Sequence, residues 1–302
     1  MVEIGFSALD MALTVENGQN SHLDSFVSHE WFCELVASTV LSMKRFATSR
    51  RHSMSSPGRG MQRRLGAVAI CVALLAACGG SDGGSGAVED DGRLLVVTTV
   101  APITSIAANV IGDRAQIVGL VPEGTNSHTF EPPPSAAELL STADVVFING
   151  LQLEEPIKAL AEANLPDEIP LVELGDRTID PDQYKYDFSF PESEGKPNPH
   201  LWTDPTLVKV YAQLIRDTMV DVDPEGAAIY DTNLQAFISI VDEFDGVVGA
   251  TFDTIPVDQR KLVTYHDAYA YFADAYGWNV VGAVQPADFG EPTARDVIKL
   301  IE

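Results

Sequence analysis

Three histidines, His128, His200 and His266, come from separate stretches of this sequence, and at least two of them follow strand-like runs. Neutral imidazole is a common ligand for zinc and other borderline divalent metals, and three imidazoles with one oxygen describe a tetrahedral site. His128 lies in "EGTNSHTFEPPP" (123–134), where Gly124 and Asn126 mark a turn. Pro132, Pro133 and Pro134 fix φ and remove backbone donors, so this segment is neither helix nor central strand. His200 opens "HLWTDP", in which Asp204 is a good N-cap and Pro205 a good first helical residue. His266 stands at the carboxyl end of the strand-like "KLVTY". The other three histidines, His22, His29 and His52, fall within the first 60 residues. Scattered loop and core histidines are the competing explanation.

The elements that must position these side chains alternate in type. Short β-branched runs at 94–100, 115–121, 144–150 and 169–174 are separated by helical segments beginning near Pro102, Ser135 and Glu155. That alternation predicts a parallel α/β sheet, whose ligands bind outside the carboxyl ends of the strands. After a loop of little predicted order, "DPDQYKYDFSFPESEGKPNP", comes the helix opened by Asp204-Pro205. A second pair, Asp223-Pro224, opens a helix reaching to about residue 250. Tyr230, Leu234, Phe237, Val241, Phe244 and Val248 form one apolar stripe along it. The alternation then restarts with strands at 261–265 and 278–284, a helix in "DAYAYFADAYG", and another opened by Pro292. The second lobe has two strands where the first has four, and Glu302 arrives without a helix-ending signal, so a truncated C-terminal lobe is expected.

Charge and cysteine usage bound the function. With 19 basic and 44 acidic residues the net charge is −25, which argues against nucleic acid as a partner. Basic "MQRR" (61–64), a short apolar run and small residues ending in Leu75-Ala76-Ala77-Cys78 describe a secretory signal. The run is too short for a membrane-spanning helix. Its end resembles a bacterial lipobox, which implies cleavage before Cys78 and lipidation of that thiol. The stretch that follows, 78–92, reads as a flexible tether. Signal peptides begin chains, so residues 1–60 are expected to be an over-extended reading frame or a disordered extension, with the true start at Met61 or Met54. Beyond the signal only Cys78 remains, so no intrachain disulfide is expected.

The segments "GTNSHTFEPPPSAAELLSTADVVFING", "NPHLWTDP", "DPEGAAIYDTNLQAF" and "VTYHDAYAYFADAYG" together resemble the metal-binding lipoproteins of bacterial zinc and manganese ABC importers. The similarity runs in order from about residue 93 to 302. It implies two α/β parallel-sheet lobes joined by one long rigid helix, with a metal site between the lobes. His128, His200 and His266 match the family's first three ligand positions. The third position holds glutamate in many manganese-specific members, so a histidine there leans towards zinc. The fourth ligand of the family, an aspartate or glutamate, falls past Glu302 and is not carried over. Many zinc members insert a histidine-rich loop before the second ligand. The corresponding "YKYDFSFPESEGKPNP" has none, and its acidic residues are expected to be solvated.

The resulting expectation is capture and not catalysis: a monomer, lipid-anchored at Cys78 on the outer face of the cell membrane or in the periplasm, binds zinc (manganese being possible) and passes it to an ABC permease. The domain reading is 61–77 signal, 78–92 tether, 93–222 first lobe, 223–252 linking helix and 253–302 partial second lobe. A zinc hydrolase using the same three histidines is the rival, since an open position on three histidines also describes catalytic zinc. Against it, no HExxH helix is present and no carboxylate is placed as a general base: Glu131 and Asp267, near the ligands in sequence, read as residues that support a ligand or face solvent. A manganese-binding or adhesin-type relative is the third reading.

Overall fold

The computed structural model of the protein describes residues 92–301. The expected extension, signal segment, Cys78 and the tether up to residue 91 lie outside the described residues.

Leu94–Thr98 (β1), Ala115–Gly119 (β2), Val145–Ile148 (β3) and Leu171–Glu173 (β4) form a parallel sheet in the order β2-β1-β3-β4. Its central strands are apolar at nearly every position because both faces are covered. Val96, Val145, Phe147 and Val172 point to one face and pack against Ala101–Ile111 (α1), Pro205–Val222 (α4) and Ala227–Phe252 (α5). Leu95, Val97, Val146 and Ile148, the alternate residues, point to the other face. They meet Ser135–Ser141 (α2) and Glu155–Asn164 (α3) through Leu140 and Ala161. Strand order reverses between β1 and β3, so the carboxyl ends of these two strands open a crevice.

The helix starts show local chemistry at work. Asp204 caps α4 by accepting from the Thr206 N–H at 2.7 Å, and Pro205 occupies the first turn. Asp223, expected to play the same part for the long helix, does something else. Its carboxylate accepts from the Arg114 guanidinium at 2.6 to 3.0 Å and from the Tyr230 hydroxyl at 2.6 Å. Pro224–Gly226 makes a single tight turn, and α5 begins only at Ala227. At 26 residues α5 is about 39 Å long. Tyr230, Leu234, Phe237 and Val241 bury its first half in the core of the four-stranded sheet. Val248 and Phe252 carry its end into a second core.

That second core belongs to Lys261–Thr264 (β5) and Asn279–Ala283 (β6), a parallel pair with an irregularity between Leu262 and Val263. Ala270–Tyr276 (α6) connects them and ends on Gly277, whose φ of 66° suits glycine after a helix. The Phe252 ring packs edge-on against Phe272, Tyr276 and Trp278, with centroids 5.1 to 5.8 Å apart. Two starts differ from the sequence expectation. The helix expected from Asp267 begins at Ala270, because Asp267 and His266 are engaged elsewhere. Ala294–Ile301 (α7) begins after Thr293 and not at Pro292: Thr293 donates to Asp296 Oδ2 from Oγ1 at 2.6 Å and from its backbone at 2.9 Å. Asp296 N–H returns a bond to Thr293 Oγ1 at 3.4 Å, a capping box. Among the described residues no helix is long and apolar enough to cross a membrane.

Candidate metal centre

The structure brings His128, His200 and His266 together. Their Nε2 atoms form a near-equilateral triangle, with sides of 3.2 Å (128–200), 3.0 Å (128–266) and 3.1 Å (200–266). Two nitrogens bound to one tetrahedral zinc at about 2.05 Å lie about 3.3 Å apart. The spacing therefore fits one shared ion with little adjustment. His200 and His266 are buried, at 2% and 9% exposure, and His128 is half-buried. Among the described residues no carboxylate or thiol joins the cluster, so the donor set is three nitrogens.

Two of the three imidazoles are held from behind by an amide. Asn198 Oδ1 accepts from the His200 ring Nδ1 at 2.7 Å, and Gln285 Oε1 accepts from His266 Nδ1 at 2.8 Å. The orientation of both amides follows from their other ends, which face pure acceptors. Asn198 Nδ2 donates to Asp187 Oδ2 at 2.7 Å and to the Asp267 carbonyl at 3.1 Å; Gln285 Nε2 donates to the Phe289 carbonyl at 2.9 Å. The Nδ1 atoms of His200 and His266 therefore carry the protons, and their Nε2 atoms turn lone pairs towards the centre of the cluster. The same two-residue spacing recurs at His128, whose backbone N–H donates to Asn126 Oδ1 at 3.0 Å, and at His200, whose N–H donates to Asn198 Oδ1 at 3.1 Å. Each such Asn-x-His turn sets the direction from which its imidazole enters.

The segment before His200, which the sequence suggested to be of little order with solvated acids, is tied down. Lys185 N–H donates to the Tyr271 hydroxyl at 3.2 Å, Asn198 N–H to the Lys185 carbonyl at 2.8 Å, and Ser189 N–H to Asp267 Oδ2 at 2.7 Å. Asp187 is not a solvated surface acid. Burial and the adjacent Asp267 carboxylate push its pKa well up, and Asp187 Oδ1 and Asp267 Oδ1 are both buried where no N–H reaches them. The segment delivers Phe190 to the cluster, with ring centroids 5.6 Å from His128 and 5.7 Å from His200. Trp202 adds an edge contact to His200 at 5.1 Å, and Phe289 stacks on His128 at 4.1 Å with 5° between the planes.

A second buried network supports the His200 loop from the carboxyl ends of β1 and β3. Asn149 Nδ2 donates to the Pro199 carbonyl at 2.9 Å, while Asn149 Oδ1 accepts from the Tyr211 hydroxyl at 2.8 Å. Glu154 Oε1 accepts from Thr99 Oγ1 at 2.6 Å and from the Asn149 N–H at 2.7 Å. Burial raises the Glu154 pKa to about 7. Between Asn149 and Glu154 the chain turns through Gly150, Leu151 and Gln152, all at positive φ of 53° to 80°. Gly150 is required there, since a Cβ would fall 2.1 Å from Asp176 Oδ2. The two non-glycine residues store strain on the order of 1–3 kcal/mol each.

The paired Asn-x-His spacing was legible in the sequence as a repeated pattern. Gln285, Phe190, Phe289 and Glu154 carried no such signal, because only tertiary contacts relate them to the histidines.

A buried, preformed cluster of three imidazole nitrogens, two of the rings held by amides, has the geometry of a site that could hold a metal ion. Comparisons with known proteins agree. Residues 96–302 match the family model described as zinc-uptake complex component A, periplasmic (ZnuA). The manganese-binding lipoprotein MntA of Halalkalibacterium halodurans is 34% identical over 236 residues, covering 78% of this chain and 75% of that protein. The iron ABC transporter substrate-binding lipoprotein MtsA of Streptococcus pyogenes is 30% identical over 227 residues, covering 73% of this chain and 70% of that one. Among solved structures, the periplasmic zinc-binding protein TroA from Treponema pallidum superposes with a TM-score of 0.62 at 27% identity, covering 69% of this chain and 73% of that chain. The chain belongs to the ZnuA family of metal-binding, substrate-binding components of ABC importers, and is not an enzyme.

Proposed function

We propose that the protein captures zinc through His128, His200 and His266, outside the cell membrane, and hands it to an ABC permease. The observation that carries this reading is the triangle of Nε2 atoms, 3.0 to 3.2 Å on a side, built from nitrogen donors alone. Imidazole suits zinc, whereas manganese favours a larger set of mostly oxygen ligands. The relatives bear manganese, iron and zinc in their names, so the donor set is what supports zinc here. Lipidation at Cys78 would hold the receptor, as a monomer, near the permease. The hydrolase reading has no support among these relatives.

The test is a titration of zinc and of manganese into the protein, beside a variant with His128, His200 and His266 all changed to alanine. Tight zinc binding that the variant lacks is the expected outcome. Equal zinc binding by the variant would refute the site, and tighter manganese than zinc would refute the choice of metal.

A further inference from the structure

The three imidazoles are ringed by phenyl groups from two different segments. Phe190, 6% exposed, comes from the loop before α4, and lies against His128 and His200. Phe289 comes from the loop after β6. It stacks on His128, and its centroid is 5.7 Å from that of His266 and 5.7 Å from that of Phe190. Phe289 adopts a φ of 60°, a left-handed conformation that a bulky residue avoids. Its carbonyl is held there from both sides of the cluster, by Asn126 Nδ2 at 3.2 Å and Gln285 Nε2 at 2.9 Å. Two of the residues that brace the imidazoles thus also fix the ring's backbone in its strained position.

We propose that Phe190 and Phe289 form an apolar collar that keeps the captured ion at low coordination number and thereby sets the preference for zinc over manganese. The inference rests on the three-histidine reading above and adds to it the residues that determine selectivity. A phenyl ring offers no lone pair to a cation, and it denies space and hydrogen-bond partners to water, which needs two to four polar neighbours to be held. The amides nearest the cluster are engaged: Asn198 and Gln285 at the imidazole Nδ1 atoms, Asn126 at the His128 backbone and the Phe289 carbonyl. Zinc needs only one ligand beyond the three imidazoles, whereas octahedral manganese would have to recruit three more oxygens as water. The collar obstructs that recruitment.

The experiment compares the wild-type protein with Phe190→Ala, Phe289→Ala and Phe289→Leu, the last keeping apolar bulk. Affinities for zinc and for manganese are measured by competition, and the visible spectrum of bound cobalt(II) reports coordination number. Wild type is expected to give the intense band of four-coordinate cobalt. Each alanine variant is expected to keep zinc binding, to lower the zinc-to-manganese affinity ratio by at least about tenfold, and to show the weak band of six-coordinate cobalt. Phe289→Leu is expected to retain both the wild-type ratio and spectrum. Retention of zinc also shows that a variant is folded. Wild-type ratios and spectra in both alanine variants would overturn the collar while leaving the three-histidine site intact. Loss of zinc by an alanine variant would make that ring structural and overturn its assignment as a selectivity residue. Failure of the wild-type protein to bind any of the three metals would overturn the site itself, and the collar with it.

Discussion

Asn198 Oδ1 accepts two hydrogen bonds from His200, one from its backbone N–H at 3.1 Å and one from its ring Nδ1 at 2.7 Å. One amide oxygen thereby fixes both where the imidazole enters the cluster and which of its nitrogens faces the other two rings. The amide cannot turn over, because its nitrogen is committed to Asp187 and to the Asp267 carbonyl. Asn198→Ala removes all of this without touching a candidate ligand. Zinc affinity is expected to fall about 10- to 100-fold, the usual effect of losing such a partner. Asn126→Ala, which gives up only a bond to the His128 backbone and one to the Phe289 carbonyl, is expected to cost less. Competition against a chromogenic chelator measures both, and an Asn198→Ala protein with wild-type affinity would refute the orienting role.

Acid should release the ion. Each candidate ligand binds metal only as neutral imidazole, so protons compete with zinc for the three Nε2 lone pairs. Affinity is expected to decline as pH drops through the ordinary imidazole range, near about 6.5, with more than one proton taken up per ion released. Isothermal titration in buffers of different ionisation enthalpy counts those protons. A flat affinity between pH 8 and 5 would contradict a site made of three histidines.

Glu154 should make the metal-free protein less stable in alkali. Its carboxyl is buried, its Oε2 receives no hydrogen bond, and burial raises its pKa from 4.5 to about 7. The folded state therefore holds a proton that the unfolded chain releases between those values. The stability present below about pH 4.5 is lost as pH rises through about 7. The full swing is on the order of 3 kcal/mol. Glu154→Gln keeps an oxygen for Thr99 and Asn149 and cannot ionise, so its melting temperature should vary less across this window. Parallel wild-type and variant curves from pH 5 to 8, recorded in chelator, would show that Glu154 is not protonated in the fold.

Much of this architecture was written in local patterns. Alternating β-branched and helical runs announced the strands of both sheets within a few residues of their ends. The stripe Tyr230, Leu234, Phe237, Val241 announced the long helix and the face it buries. The histidines could be singled out because few occur and because they stand in loops near strand ends. What stayed hidden depends on distance in sequence. Asp223 read as a cap because Asp-Pro usually is one, but its partner is Arg114, 109 residues away. The segment 184–198 looked loose because its anchors, Tyr271 and Asp267, lie beyond the long helix. Gln285 and Phe289 are ordinary residues until the fold sets them beside His266 and His128.

Tyr211 offers a way to separate stability from binding. Its side chain is fully buried on α4, and its hydroxyl donates to Asn149 Oδ1 at 2.8 Å. Asn149 is equally buried, and its Nδ2 holds the Pro199 carbonyl next to His200. Tyr211→Phe leaves the Asn149 oxygen without that donor in a dry interior, at a cost of about 1–3 kcal/mol. The grip of Nδ2 on Pro199 survives the change, so the His200 loop keeps its course. The urea midpoint of the metal-free variant should therefore drop while its zinc affinity stays nearer to wild type than that of Asn198→Ala. Asn149→Ala, which loses both of these bonds and a third to the Gly150 carbonyl, should depress the two quantities together. A Tyr211→Phe protein of undiminished stability but weakened zinc binding would reverse this assignment, and would place the hydroxyl in the support of the metal centre.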